Sequence, residues 1–308
     1  MPVFAPHPEF IMTESSRLPA DVTGLWTPPP LSRRGFMSQT AAAAAGYTLL
    51  TGPVRAEAIT TDTAGLNVGE GRVMVAGGEM PVYFARPATG SNWPVVLVAM
   101  EIFGLHEYIR DVVRRLARLG AFAIAPDYYF RSGTDLTKVT EMSKLLGIVN
   151  AKPDAELITD LDATVAWAKS QGGNTDRLGI IGFCRGGRTV WEYCAARAAP
   201  KAGVAFYGPL LDPEAQKTIW PKSPTDLAFD MKAPVLGLYG GADKGIPVAS
   251  VEAMKAKLQA AGKTADFQIY PDAPHGFHAD YRPSYRKEAA EDAWRRMTEW
   301  FKRYGILG

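Results

Sequence analysis

The sequence predicts an α/β fold built on a mostly parallel central sheet with helices on both faces. Three observations carry this. Short apolar runs alternate with segments of helical periodicity from residue 93 onward. One run, Trp93–Met100, is apolar without alternation, as a strand covered on both faces should be. Polar residues also recur just beyond the predicted strand ends, where open parallel sheets collect their chemistry.

Arg72–Ala76 and Pro81–Arg86 read as a short hairpin around Gly77-Gly78. Strand Trp93–Met100 leads into a helix over 107–119, with Val112, Val113, Leu116 and Leu119 on one face. Ala121–Ala125 is the next strand, ended by Pro126-Asp127. A short helix is predicted over 137–147 and a longer one over 154–170, with Leu157, Leu161, Val165 and Ala168 facing inward. Strand 177–183, helix 186–198 and strand 202–207 follow, then strand 234–239, helix 248–261, strand 266–270 and helix 285–303. The irregular stretch Pro209–Lys232 holds four prolines and Trp220, and loops of that length are commonly lids or mobile segments.

The 308 residues carry 34 basic and 32 acidic side chains, a net of +2 that gives no electrostatic case for nucleic acid or acidic membranes. A hydrophobic content of 47% is globular, and no apolar run approaches the roughly 20 residues that span a bilayer. Residues 1–58 stand apart from a single domain over 59–308. They are Pro-rich and aperiodic to residue 31; then Ser32-Arg33-Arg34-Gly35-Phe36-Met37 resembles a twin-arginine export signature. An apolar stretch, Ala41–Leu50, and a small-x-small cleavage site, Ala56-Glu57-Ala58, follow in the order that a leader requires. The expectation is export by the twin-arginine translocation machinery to the periplasm or beyond, with no membrane span in the mature chain. A disordered basic tail is the alternative, and Met12 is a possible start.

Two cysteines make no disulfide framework. Ten residues of helix between Cys184 and Cys194 would separate them by about 15 Å, beyond the roughly 7 Å that a disulfide tolerates. Cys194 reads as a buried helix residue. Cys184 differs, because it sits in Gly182-Phe-Cys184-Arg-Gly186-Gly187 between a predicted strand and a helix. A nucleophile flanked by small residues at such a junction is the nucleophile elbow of an α/β-hydrolase sheet, here with cysteine instead of serine. Asp243 and His275 follow at later strand ends, in the chain order of that fold.

In those roles His275 is the general base and Asp243 orients its ring. His278 is the fallback base, and His106 is placed in the pocket lining. The backbone N–H groups of Ile102 and Arg185 would form the oxyanion hole. The helix N-terminus favours a thiolate at Cys184. No His, Cys, Asp and Glu spacing suits a metal, so neither metal nor cofactor is expected.

The chain resembles the dienelactone hydrolase (carboxymethylenebutenolidase) family over about residues 70–303. The resemblance rests on Met100-Glu101-Ile102-Phe103-Gly104-Leu105, Ala125-Pro126-Asp127-Tyr128-Tyr129-Phe130-Arg131, the elbow, Tyr239-Gly240-Gly241-Ala242-Asp243 and Pro274-His275-Gly276-Phe277. It implies that Glu101 holds the resting thiol and takes its proton when substrate binds. It also implies that Arg131 grips a substrate carboxylate, beside Tyr129 in the same loop. Two departures stand out. The family's second carboxylate-binding arginine is replaced by Ala279, with Arg282 three residues further on, and Arg185 occupies a position that is apolar in the family. Whether Arg282 or Arg185 substitutes is open from sequence. The expected activity is thiol-dependent opening of lactones or cleavage of small activated esters, on a carboxylate-bearing substrate. The alternatives are a general carboxylesterase, a non-catalytic binding protein and a redox-sensing thiol.

Overall fold

The computed structural model describes residues 58–308. The leader predicted over 1–58 lies outside them, Ala58 apart. Eight strands form one sheet: β1 (Leu66–Val75), β2 (Gly78–Pro87), β3 (Trp93–Ala99), β4 (Phe122–Pro126), β5 (Gly173–Phe183), β6 (Ala202–Phe206), β7 (Val235–Gly240) and β8 (Ala265–Tyr270). Their order is β1-β2-β4-β3-β5-β6-β7-β8. Only the pairings of β1 with β2 and β2 with β4 are antiparallel. The hairpin is longer than its sequence signal, because the glycines and charges of Leu66–Gly71 hide a half-exposed edge strand.

Six helices connect or follow these strands: α1 (Glu107–Arg118), α2 (Met142–Asn150), α3 (Asp154–Ser170), α4 (Arg185–Ala196), α5 (Val248–Ala260) and α6 (Lys287–Arg303). Helices cover both faces of the sheet. In the β5–β6 register Ile180 lies opposite Gly203, so Gly179 and Gly203 present opposite faces. Phe301 of α6 packs at Gly179, and Val190 and Cys194 of α4 pack at Gly203. Between these layers Pro94–Ala99 and all of β4 are buried, which accounts for their unbroken apolar character.

Two expectations differ from the structure. The helix predicted over 137–147 divides into a single turn at Leu136–Lys138 and helix α2 at Met142–Asn150. Val139 is extended, and burial of Leu145 and Val149, one helical turn apart, sets the register of α2. The stretch Pro209–Lys232 is pinned in place. Trp220 is buried, its Nε1 donates to the Lys152 carbonyl at 2.9 Å, and Asp212 meets Arg188 at 2.6 Å. A reciprocal cap between Ser223 and Asp226 closes the turn between them and β7.

The carboxyl ends of the parallel strands share one edge. At β5 the chain reverses through Cys184, whose φ of 55° and ψ of −118° are strained for a residue with a Cβ. The reversal seats α4 almost against the sheet: a Cβ on Gly186 would lie 2.0 Å from the Ala99 carbonyl oxygen, and one on Gly182 2.1 Å from that of Gly186. Both contacts are backbone, which cannot swing aside. Gly186→Ala should therefore lower unfolding free energy by about 3 kcal/mol or more, or prevent soluble folding. A urea titration of the variant giving a loss below about 1 kcal/mol would refute this packing argument.

Candidate active site

Cys184 caps α4 and is almost wholly buried. Its N–H donates to the Phe206 carbonyl at 3.0 Å, which ties the elbow to the end of β6. Asp243 and His275, from the loops after β7 and β8, are joined by a 2.7 Å hydrogen bond between Oδ2 and Nδ1. Oδ1 of Asp243 accepts from the N–H groups of Gly245 and Ile246 at 2.8 and 3.1 Å, so the carboxylate cannot turn from the ring. The other ring nitrogen, Nε2, is buried without a hydrogen-bond partner. Burial alone would lower the His275 pKa. The charge of a Cys184 thiolate and the bond and charge of Asp243 raise it instead, to about 10. The three sequence-predicted residues thus converge as thiol, imidazole and carboxylate.

His278 has no such arrangement. Its Nδ1 meets the Tyr108 hydroxyl at 2.7 Å, and its ring stacks on Trp294 at 5.7 Å. Burial and the charge of Arg115 lower its pKa to about 3, which keeps it neutral within the core. It serves packing, and the fallback role falls away.

Glu101, just beyond β3, is fully buried. Its Oε2 accepts from Tyr281 at 2.9 Å and His106 at 3.2 Å, and Oε1 lies 3.4 Å from Nη2 of Arg282. Burial by itself would raise this carboxyl. The Arg282 guanidinium, with the His106 and Tyr281 hydrogen bonds, overrides burial and holds it at about 2. His106 is therefore a direct partner of Glu101 as well as a pocket residue.

The two arginines left open by sequence differ in where they point. Arg282 is buried, its Nε donates to the Tyr281 hydroxyl at 2.7 Å, and its plane lies 4.6 Å over the Phe103 ring. Nη1 is buried with no partner, and the charge of Cys184 reaches the group. Arg185, by contrast, turns into a buried network. Its guanidinium lies 4.4 Å over Trp220 and 3.4 Å from both Asp154 and Glu192. Arg188, Asp154 and Asp212 complete that network.

The structure does not bring Arg131 into this cluster. Its fork closes on Asp160 at 2.7 and 2.8 Å, Glu156 is 3.0 Å away, and Nε donates to the Ala76 carbonyl at 2.7 Å. The sequence offered no sign of this: Asp160 is buried on α3 beside the inward-facing Leu157 and Leu161. Tyr129 does stand near Cys184. Burial pushes its hydroxyl up to about 12, Arg185 opposes this and the Cys184 charge adds to it.

Ile102 is buried in the turn after Glu101, and its N–H makes no hydrogen bond among the described residues. Arg185 is the first residue of α4, so its N–H has no acceptor within the helix. Tyr207 was not anticipated. It follows β6 with φ of 38°, is fully buried, carries a hydroxyl with no partner, and packs edge-on against His275 at 5.1 Å. Its one sequence signal was its place at a strand end before Gly208. Among the described residues no group of three or more His, Cys, Asp or Glu side chains is placed to hold a metal ion. No described helix is long and apolar enough to cross a membrane.

Comparison with known proteins places this geometry. A Methylorubrum extorquens protein assigned as a carboxymethylenebutenolidase is 50% identical over 290 residues, covering 93% of this chain and 98% of its own. An Escherichia coli K12 protein with the same assignment is 46% identical over 262 residues, covering 84% of this chain and 96% of its own. A crystal structure from Klebsiella pneumoniae assigned as a dienelactone hydrolase superposes with a TM-score of 0.75 at 46% identity, over 78% of this chain and 99% of that one. The model of the dienelactone hydrolase family matches residues 80–305, and this chain belongs to that family.

Proposed function

We propose that the protein is a thiol-dependent carboxylic ester hydrolase that opens lactones or cleaves small activated esters, with Cys184, His275 and Asp243 as its triad. The observation that carries this is the Asp243–His275 bond at 2.7 Å beside a cysteine held on a strained elbow. The Cys184 thiol passes its proton to a neutral His275, or to Glu101 where His275 is already an imidazolium, and the thiolate attacks the carbonyl carbon. The tetrahedral oxyanion accepts from the N–H groups of Ile102 and Arg185. Collapse breaks the ester C–O bond, the leaving oxygen takes a proton from His275, and an acyl-thioester remains. His275 then takes a proton from water, the hydroxide attacks the thioester, and the product acid departs from a restored thiolate.

The substrate acid group binds at Arg282, whose Nη1 is a buried donor without a partner. A second reading, a carboxylesterase for neutral esters, draws support from the commitment of Arg131 to Asp160. We also infer that residues 1–58 are a twin-arginine leader. The M. extorquens match, at 290 residues, is longer than the whole of 58–308 and so extends into that segment.

Steady-state kinetics separates the two substrate readings. A carboxylate-bearing dienelactone should be preferred over p-nitrophenyl acetate, and Cys184→Ala should lower kcat/KM for both by about 10³-fold or more. Arg282→Lys, which keeps charge but loses the fork, should raise KM for the acidic lactone by about tenfold more than KM for the neutral ester, any loss through Glu101 being common to both. Equal losses on both substrates would remove Arg282 as the carboxylate anchor.

Acid stability tests the charge state of Glu101. Its folded pKa, about 2, lies below the ordinary 4.5, so its contribution is present above pH 4.5 and lost as pH falls toward 2. Glu101→Gln should lose less stability than the wild type between pH 5 and 3 in urea titrations, and parallel losses would contradict the assignment. Export is checked by Arg33→Lys with Arg34→Lys, which should abolish periplasmic accumulation. Undiminished export would dismiss the leader.

A further inference from the structure

The carboxylate of Glu101 is held unevenly. Oε2 receives Tyr281 at 2.9 Å, His106 at 3.2 Å and Arg282 Nη2 at 3.5 Å. Oε1 makes no hydrogen bond, with only the Arg282 charge 3.4 Å away. An ionised carboxylate accepts only, so His106 must carry its hydrogen on Nε2 and Tyr281 must aim its hydroxyl hydrogen at Oε2. The hydroxyl oxygen of Tyr281 is in turn used by Arg282 Nε at 2.7 Å, which fixes the direction of that hydrogen. The two rings also brace each other edge-on at 5.2 Å, and Tyr108 of α1 packs against both, at 5.9 and 5.4 Å.

We propose that His106 and Tyr281 are positioning residues that pin Oε2 of Glu101, so that Oε1 alone faces the reacting groups. The proposal rests on the reading of Cys184 as nucleophile with Glu101 at its side. A carboxylate free to rotate offers either oxygen in many orientations. One held through Oε2 offers a single acceptor without reorganisation, and such pre-orientation accelerates proton transfer. The arrangement also explains why a fully buried carboxylate has one oxygen crowded with donors and the other bare. The other titratable groups around Glu101 are Tyr108 from α1, Tyr207 from the end of β6 and His278 from the loop after β8. None of the three hydrogen-bonds it among the described residues, so none can take over the pinning.

A double-mutant cycle in the full chain tests this. Tyr281→Phe is combined with Glu101→Gln, and each variant is read twice: by kcat/KM for p-nitrophenyl acetate and by the rate of Cys184 alkylation with iodoacetamide. Cys184→Ala is the alkylation blank. Cys194 stays silent because it is buried and its thiol is pushed well above the ordinary range. Tyr281→Phe should change the rates about tenfold when Glu101 is present and less than twofold in the Glu101→Gln background. His106→Ala should behave like Tyr281→Phe, and His106→Gln, which keeps an N–H donor, should restore most of the rate. A Tyr281→Phe effect of equal size in both backgrounds, or below twofold beside Glu101, overturns the proposal. Absence of ester turnover in the wild type would sink the hydrolase reading, and the alkylation cycle would still decide the positioning.

Discussion

The site depends on how closely α4 can approach the strand that precedes it. That approach is possible only because Gly182 and Gly186 leave no side chain between the helix and the backbone of β3 and β5. The strained turn at Cys184 is its consequence, since no relaxed conformation returns the chain so abruptly. The same turn places the sulfur at the start of a helix whose first N–H is that of Arg185, while the N–H of Ile102, beyond the end of β3, makes no hydrogen bond among the described residues. The candidate nucleophile, the helix dipole and the Arg185 N–H therefore come from one geometric constraint.

Around that turn the buried charges are arranged in pairs. Asp243 faces His275, Glu101 faces Arg282, and the sulfur lies within reach of both cations. Burial would neutralise each of these groups alone, lowering the imidazole's pKa and raising the carboxyl's. The neighbours reverse both effects. The cost of holding so many ions in an apolar layer is offset by hydrogen bonds, and four of the seven buried side-chain atoms left without one among the described residues belong to this cluster: His275 Nε2, Glu101 Oε1, Arg282 Nη1 and the Tyr207 hydroxyl. A folded chain leaves buried polar atoms unpaired where another molecule is to complete them.

The fold, the elbow at Cys184 and the Asp243–His275 pair were legible in the sequence because they follow from local signals and strand ends. Continuous apolar runs gave β3 and β4, and small residues on either side of Cys184 gave the elbow. What sequence did not reveal depends on contacts between distant segments. Arg131 carries a motif position, yet Asp160, 29 residues later and buried on α3, claims its fork. Tyr281, from the segment after β8, meets Glu101 and His106 of the loop after β3, although three strands lie between β3 and β8 in the sheet. Helix 137–147 was misplaced for a related reason, as burial of Leu145 and Val149 set the register and not the local propensity.

Arg185, next to Cys184, acts structurally through its side chain, while in the function we propose its backbone N–H serves the site. Its guanidinium and that of Arg188 lie over Trp220 and meet Asp154, Asp212 and Glu192, joining α3, α4 and the 209–232 stretch. A stretch of that length without long helix or strand would ordinarily move freely. Here its Trp220 and Asp212 are held by the first turns of the helix that Cys184 caps. The stretch is thus coupled to the elbow itself, and any displacement of it must break a buried ion network before it can alter the site. With Arg131 and Arg185 both committed to protein carboxylates, recognition of a substrate's charge falls to Arg282 in the function we propose. That arginine also holds Glu101, so in that reading substrate binding and the state of the buried carboxylate would be linked through a single guanidinium.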